Sequence, residues 1–157
     1  MKYKLTDVKI NFMGKTLFQI EAVKCFGDIV KGQKGGFIEK ESNLSQGGNA
    51  WVYGNAKVYG NAKVRGDAKV YGNAWVCGNA WVYGNADYLV IGPIGSRNDI
   101  TTFFKTANND IKVSCGCFTG NIEEFLEKVN ETHGNNNYAK EYKTAVEIAK
   151  IHIFGGE

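Results

Sequence analysis

In this chain of 157 residues, the groups able to do chemistry are few, and most lie from Gly95 onward. The stretch Gly95-Ser96-Arg97-Asn98, with Thr101 and Thr102 just behind it, offers hydroxyls, an amide and a guanidinium, which are the groups that grip a phosphate or carboxylate. It lacks the lysine and the spacing of a P-loop. We therefore read it first as a structured connector and second as a ligand-binding loop, with Ser96, Arg97, Asn98 and Thr101 as contacts for a small anion. Cys115-Gly116-Cys117 on a strand would turn two sulfurs to one face, which suits half a metal site or a redox pair. Zinc needs four ligands, and the sequence has no second pair of closely spaced cysteines. His133 and Cys25 would complete such a set only if folding brought them together. The expectation is therefore buried structural thiols, no metal and no cofactor. The two histidines, His133 and His152, both fall in the C-terminal part, and no catalytic set is assigned.

Composition excludes more than it identifies. Lys and Arg number 19 against 16 Asp and Glu, and the formal net charge of +3 is spread without a block of like sign. That is not the footprint of a nucleic-acid binder. No apolar run of 18 residues and no charged-then-apolar leader stands in the sequence, so the reading is a cytoplasmic protein without a membrane contact. Four cysteines are too few for a small disulfide framework and are expected to stay reduced.

The element that must position these groups is a repeat. Seven hexapeptides run from Gly48 to Leu89: GNAWVY, GNAKVY, GNAKVR, GDAKVY, GNAWVC, GNAWVY and GNADYL. A helix would carry a glycine at every sixth position, each costing about 1 kcal/mol relative to alanine. A flat strand fails as well, because Gly-Asn favours positive φ and a turn. The chain must bend after each short strand. Val52, Val58, Val64, Val70, Val76 and Val82 then point inward with the alanines, and successive turns of the chain pair as parallel strands around a three-sided prism. The register begins near Gly36, with Ile38 and Leu44 inward and Ser42 at the small position, and two extra residues around Gln46-Gly47 interrupt it.

Beside each valine the outward positions alternate between aromatic and basic. Trp51, Tyr53, Tyr59, Tyr71, Trp75, Trp81 and Tyr83 form the aromatic set, interleaved with Lys57, Lys63, Arg65 and Lys69. Residues 18 apart should stack on one face, Tyr53 with Tyr71 and Lys63 beside Trp81. So much aromatic area asks for a cover: the chain's own ends, or a homo-oligomer of two or three copies. A groove of aromatics and cations for a ligand is the alternative.

Three regions follow. Residues 1–35 read as strands with a turn at Met13-Gly14-Lys15, a hairpin capping the repeat, with Phe18, Ile20 and Ala22 alternating inward. Residues 36–91 hold the repeat. Residues 92–157 begin with a loop around Pro93 and continue as a ββαα unit. There Asn121 and Glu124 make a capping box, Gly134 a stop, and Tyr142, Ala145, Val146 and Ala149 one stripe of a second helix from about 138 to 152.

The pattern in VYGNAK and VCGNAW resembles the hexapeptide-repeat proteins, whose fold is a left-handed parallel β-helix. Residues 26–56 are similar to the entry segment of hexapeptide-repeat proteins of bacterial genomes and prophages that are classed as transferases. IGPIGSRNDITTFFKT, VSCGCFTG and the segment Glu131-Thr132-His133-Gly134 are similar to stretches attached to such repeats in phage proteins. The resemblance implies a mainly β fold: a short left-handed β-helix with an N-terminal hairpin cap and a small α+β C-terminal unit. Acyltransferases of this family would imply a catalytic histidine on the coil, and a carbonic-anhydrase-like member three histidine ligands. The repeat here has no histidine and the chain only two. The resulting expectation is a non-catalytic, oligomeric binding protein of phage origin acting in a bacterial cytoplasm. It would counter a host defence by binding a host immune complex or sequestering a nucleotide signal. The alternatives are an acyltransferase-like enzyme or relic, and a structural scaffold.

Overall fold

A computed structural model describes residues 1–155. The chain is mainly β, with two helices at its C-terminal end, and divides into two compact units, Met1–Asn85 and Ala86–Glu157. Among the described residues no helix is long and apolar enough to cross a membrane.

The first unit opens with β1 (Tyr3–Phe12) and β2 (Lys15–Ala22), an antiparallel hairpin whose two turn residues, Met13 and Gly14, both take positive φ. Two positive values in a two-residue loop match the right-handed twist of the flanking strands. β2 pairs in turn with β3 (Lys34–Ile38), closing the strand edge that would otherwise end the repeat. Its buried side chains are Leu17, Ile20 and Ala22, with Phe18 half-buried. The departure from strict alternation coincides with a register shift against β3 between Gln19 and Glu21.

Six two-residue strands follow: β4 (Trp51–Val52), β5 (Lys57–Val58), β6 (Lys63–Val64), β7 (Lys69–Val70), β8 (Trp75–Val76) and β9 (Trp81–Val82). Each pairs in parallel with the third strand onward, β4 with β7, β5 with β8 and β6 with β9, so valine lies on valine at a spacing of 18 residues. All six valines and the alanines between them are buried. A glycine with positive φ opens each corner from Gly48 to Gly78. At Gly48 a Cβ would stand 2.7 Å from the Gly66 carbonyl oxygen of the next turn. Only hydrogen fits there.

Upstream the spacing becomes 20, Ile38 on Val58 and Leu44 on Val64, which places the two extra residues between Leu44 and Ala50. Ser42 does not take the small inward position. A 3-10 turn at Glu41–Asn43 leaves Ser42 exposed and buries Asn43, whose amide donates to the carbonyls of Gly60 and Ala62 at 3.1 and 2.9 Å. The N-terminus fastens over the insertion. Gln46 accepts from the Lys2 backbone at 2.7 Å and donates to the Tyr3 carbonyl at 3.2 Å. The buried Lys2 ammonium reaches Ala50 O at 2.7 Å, and the Tyr3 hydroxyl donates to Leu44 O at 2.6 Å.

This N-terminal segment covers part of the aromatic set. Trp51 is fully buried between the rings of Tyr3 and Phe26, and Tyr59 and Trp75 meet the edge of Phe12 with centroids 5.7 and 4.7 Å apart. Trp51 and Tyr59 are thus core residues of their own chain, not outward interface positions. Tyr53 and Tyr71 form an edge-on pair, and Trp81 stacks on Tyr83 at 5.4 Å with the Arg65 guanidinium 5.1 Å from the Tyr83 ring. Tyr71, Trp81 and Tyr83 are the exposed members of the set, at 54, 40 and 38%.

The second unit is a four-stranded antiparallel meander, β10 (Tyr88–Ile94), β11 (Asp99–Lys105), β12 (Ile111–Cys115) and β13 (Phe118–Asn121), followed by α1 (Ile122–His133) and α2 (Asn137–Phe154). It carries two more strands than the ββαα reading. Tyr88-Leu89-Val90-Ile91 pair with Thr101–Phe104, although an unbroken apolar run followed by Gly-Pro shows no alternation to mark a strand. Phe118–Asn121 is too short to show a period. The predicted cap stands: Asn121 accepts from the Glu124 backbone and the Glu124 side chain accepts from that of Asn121. Phe125, Val129, Tyr142, Ala145, Val146 and Ala149 of the helices join Phe103, Ile111 and Val113 of the sheet in one core.

Candidate functional site

Two turns and two helices of the second unit build a cleft of about 210 Å³. The first turn joins β10 to β11. Gly95 and Asn98 take positive φ and the Asn98 N–H closes on the Gly95 carbonyl at 3.2 Å, which leaves Ser96 and Arg97 at the tip. Tyr142 packs directly on Gly95, and the Gly95 N–H donates to Glu141 at 2.9 Å, so α2 holds this turn in place.

The second turn is Gly116-Cys117, the two-residue loop between Cys115 and its cross-strand partner Phe118. Gly116 has φ 60°, and glycine at the first central position is what such a loop demands. The two turns meet through Arg97. Its Nη1 lies 3.1 Å from the point a Cβ on Gly116 would occupy. The guanidinium therefore rests on the residue between the two cysteines.

The floor is aromatic. Phe125 stands 5.7 Å from Phe118 and 5.5 Å, edge-on, from Tyr142, and His133 stacks on the other part of Tyr142 at 6.0 Å with 24° between planes. Helix α1 supplies Phe125, Lys128, Val129, Thr132 and His133 to the lining, a run of one helical face. Ser96 and Arg97 of the first turn, Lys128 and Thr132 of α1, the two thiols of the second turn and Asp99, the one carboxylate, line the rest. Burial, and then the neighbouring Cys115, push the Tyr142 hydroxyl up to about 12, so at neutral pH it stays a neutral donor and acceptor.

Ser96 and Arg97, proposed from sequence, both line this cleft. Asn98 and Thr101 do not. Asn98 closes its turn on the exposed side, and Thr101 is fully buried and donates to Cys115 Sγ at 3.4 Å. Thr101 shares its face of the sheet with its register partner Cys115, and its hydroxyl is taken up in the contact with that sulfur. The cysteines also depart from expectation, since Cys117 is exposed and Cys115 only half-buried. Among the described residues no group of three or more His, Cys, Asp or Glu is placed to hold a metal ion. Cys25 belongs to the first unit, where it accepts from the Lys31 backbone at 3.4 Å.

Lys128 and Thr132 were missed by the sequence reading. Their signal was available: they fall three and seven residues after Phe125, on the same helical stripe that supplies the core. In comparisons with known proteins, no family model and no curated protein matches the chain.

Proposed function

We propose that the chain is a binding protein whose C-terminal unit takes a small anionic ligand with a flat ring, a nucleotide being the class that suits both features. The observation that carries this reading is the cleft itself, in which Arg97 and Lys128 border a floor of Phe118, Phe125 and Tyr142. A guanidinium and an ammonium favour a phosphate, and aromatic faces favour a planar base. A mostly apolar cleft with a few convergent polar groups is the usual form of a small-ligand site.

The repeat, in this proposal, is a left-handed parallel β-helix of the hexapeptide class that serves as a rigid carrier. Parallel pairing at 18 residues and the inward valines and alanines support it. The resemblance of the repeat and of the C-terminal stretches to phage proteins supports a role in an infected bacterium, withdrawing a nucleotide signal from a host defence. Two or three copies would associate through the exposed Trp81 and Tyr83 edge of the repeat.

The test is thermal unfolding against nucleotides, cyclic dinucleotides and acyl-CoA compounds. A ligand at 100 times its Kd stabilises the folded state by about 2.7 kcal/mol. A shift with one nucleotide class, lost in Arg97→Gln, is the expected result. No shift with any nucleotide would overturn the ligand class, and a shift with acyl-CoA alone would favour the transferase alternative.

A further inference from the structure

We propose that Cys115 and Cys117 form a thiol–disulfide exchange site at the mouth of the cleft, with a low-molecular-weight disulfide as its substrate. This goes beyond nucleotide binding and does not depend on it. The two cysteines flank Gly116 in the β12–β13 turn, and both line the same cleft. Two positions apart across a turn at Gly116, their α-carbons are held by the backbone to about 5–7 Å, a span that overlaps the roughly 4.4–6.8 Å over which a disulfide closes.

Their surroundings differ, and the difference assigns an order. Cys117 is exposed and open to an incoming disulfide, while Cys115 is half-buried, in contact with Thr101 and Tyr142. The thiolate is the reactive form. The Arg97 guanidinium rests on the very residue that separates the two sulfurs, where it can pair with a carboxylate of the incoming disulfide. Cys115 Sγ already accepts from the Thr101 hydroxyl and lies 4.0 Å from the Tyr142 oxygen. Both hydroxyls can donate to the sulfur as it gains negative charge. Neither Cys25 nor Cys77 has a second thiol near it in sequence, and Cys77 is buried.

The reaction balances as two displacements. The Cys117 thiolate attacks one sulfur of RS–SR; a Cys117–S–SR bond forms, the S–S bond of the substrate breaks, and RS⁻ leaves to take up a proton from water. Cys115 then loses its proton to water, and its thiolate attacks Cys117 Sγ, expelling the second RS⁻. Together the cysteines lose two electrons and two protons, and one disulfide becomes two thiols. The reverse sequence restores the dithiol.

The experiment equilibrates the full chain in mixtures of reduced and oxidised glutathione, quenches with acid, alkylates and maps peptides by mass. Wild type should lose two hydrogens from the peptide that carries Cys115 and Cys117 and resist alkylation there. Cys115→Ser should trap one glutathione on Cys117, and Arg97→Gln should slow the exchange. Cys117→Ser, at an exposed position that leaves the core untouched, should abolish it. Independent alkylation of both cysteines at every glutathione ratio would overturn the proposal. So would capture of glutathione by Cys25 as fast as by Cys117. Nucleotide shifts measured separately on the reduced protein keep failure of this inference distinct from failure of the ligand reading.

Discussion

The Arg97 guanidinium lies on the bare backbone of Gly116, with Nη1 3.1 Å from where a methyl group would stand. This contact joins the β10–β11 turn to the β12–β13 turn, the two turns that bring Ser96, Arg97, Cys115 and Cys117 to the cleft. Gly116→Ala would force a side chain into a backbone with φ 60° and push the guanidinium aside. The expected loss is about 1–2 kcal/mol, measured by urea unfolding, together with weaker nucleotide binding. Unchanged stability would show that the turn relaxes freely.

The aromatic residues of the repeat should separate into two classes on truncation. Trp51→Ala removes a fully buried ring and should cost about 3–5 kcal/mol, whereas Trp81→Ala, exposed in the single chain, should stay within about 0.5 kcal/mol at dilutions where the chain is monomeric. Trp51→Phe should fall well below Trp51→Ala, because the buried Trp51 Nε1 has no hydrogen-bond partner to lose. Equal costs at positions 51 and 81 would contradict the burial described above.

Gln46 bonds to the backbone of Lys2 and Tyr3 and to the Glu41 carboxylate, the last at 2.7 Å. Gln46→Ala leaves those groups to find water, and the expected cost is about 1–3 kcal/mol, with faster amide exchange at the start of β1. Retained protection at Tyr3 would show that Lys2 alone holds the strand.

Alkaline pH offers a test of the same region. Burial, and then the Lys24 charge, lower the Lys2 ammonium from 10.5 to about 8. The unfolded chain therefore holds more protons between those values, and Lys2 makes stability rise with pH across that window. Burial raises the hydroxyls of Tyr3, Tyr59 and Tyr142 above their usual 10.0. Above pH 10 the unfolded chain ionises first, and stability falls. Chemical denaturation from pH 7 to 11 should show a rise and then a decline, and Lys2→Met should shrink the rise to the part due to Lys57, whose ammonium burial also lowers. A monotonic fall in wild type would refute the assignment to Lys2.

The repeat was legible because one rule, an inward valine every six residues, acts identically at each turn. Even the interruption could be located, as a spacing of 20 where 18 is the rule. Ser42 misled because size alone suggested it for the interior, whereas Asn43 can satisfy two buried carbonyls and so enters at lower cost. Trp51 was read as outward from local alternation. That geometry holds, but what covers the outer face is decided by residues about 25 and 48 positions earlier, Phe26 and Tyr3. In the cleft, Ser96 and Arg97 declared themselves by residue type. Tyr142 and Lys128 reach it only through the packing of two helices on a sheet, which no local pattern specifies.

The valine stack also bears on how the chain finds its place while folding. Slipping the pairing by one whole turn sets valine on valine again, so the interior scarcely distinguishes one alignment from the next. What does distinguish them is the non-repeating clasp of Lys2, Tyr3 and Gln46, with Asn43 beneath it. These residues give an otherwise periodic array its origin, the fixed mark from which every later turn is counted.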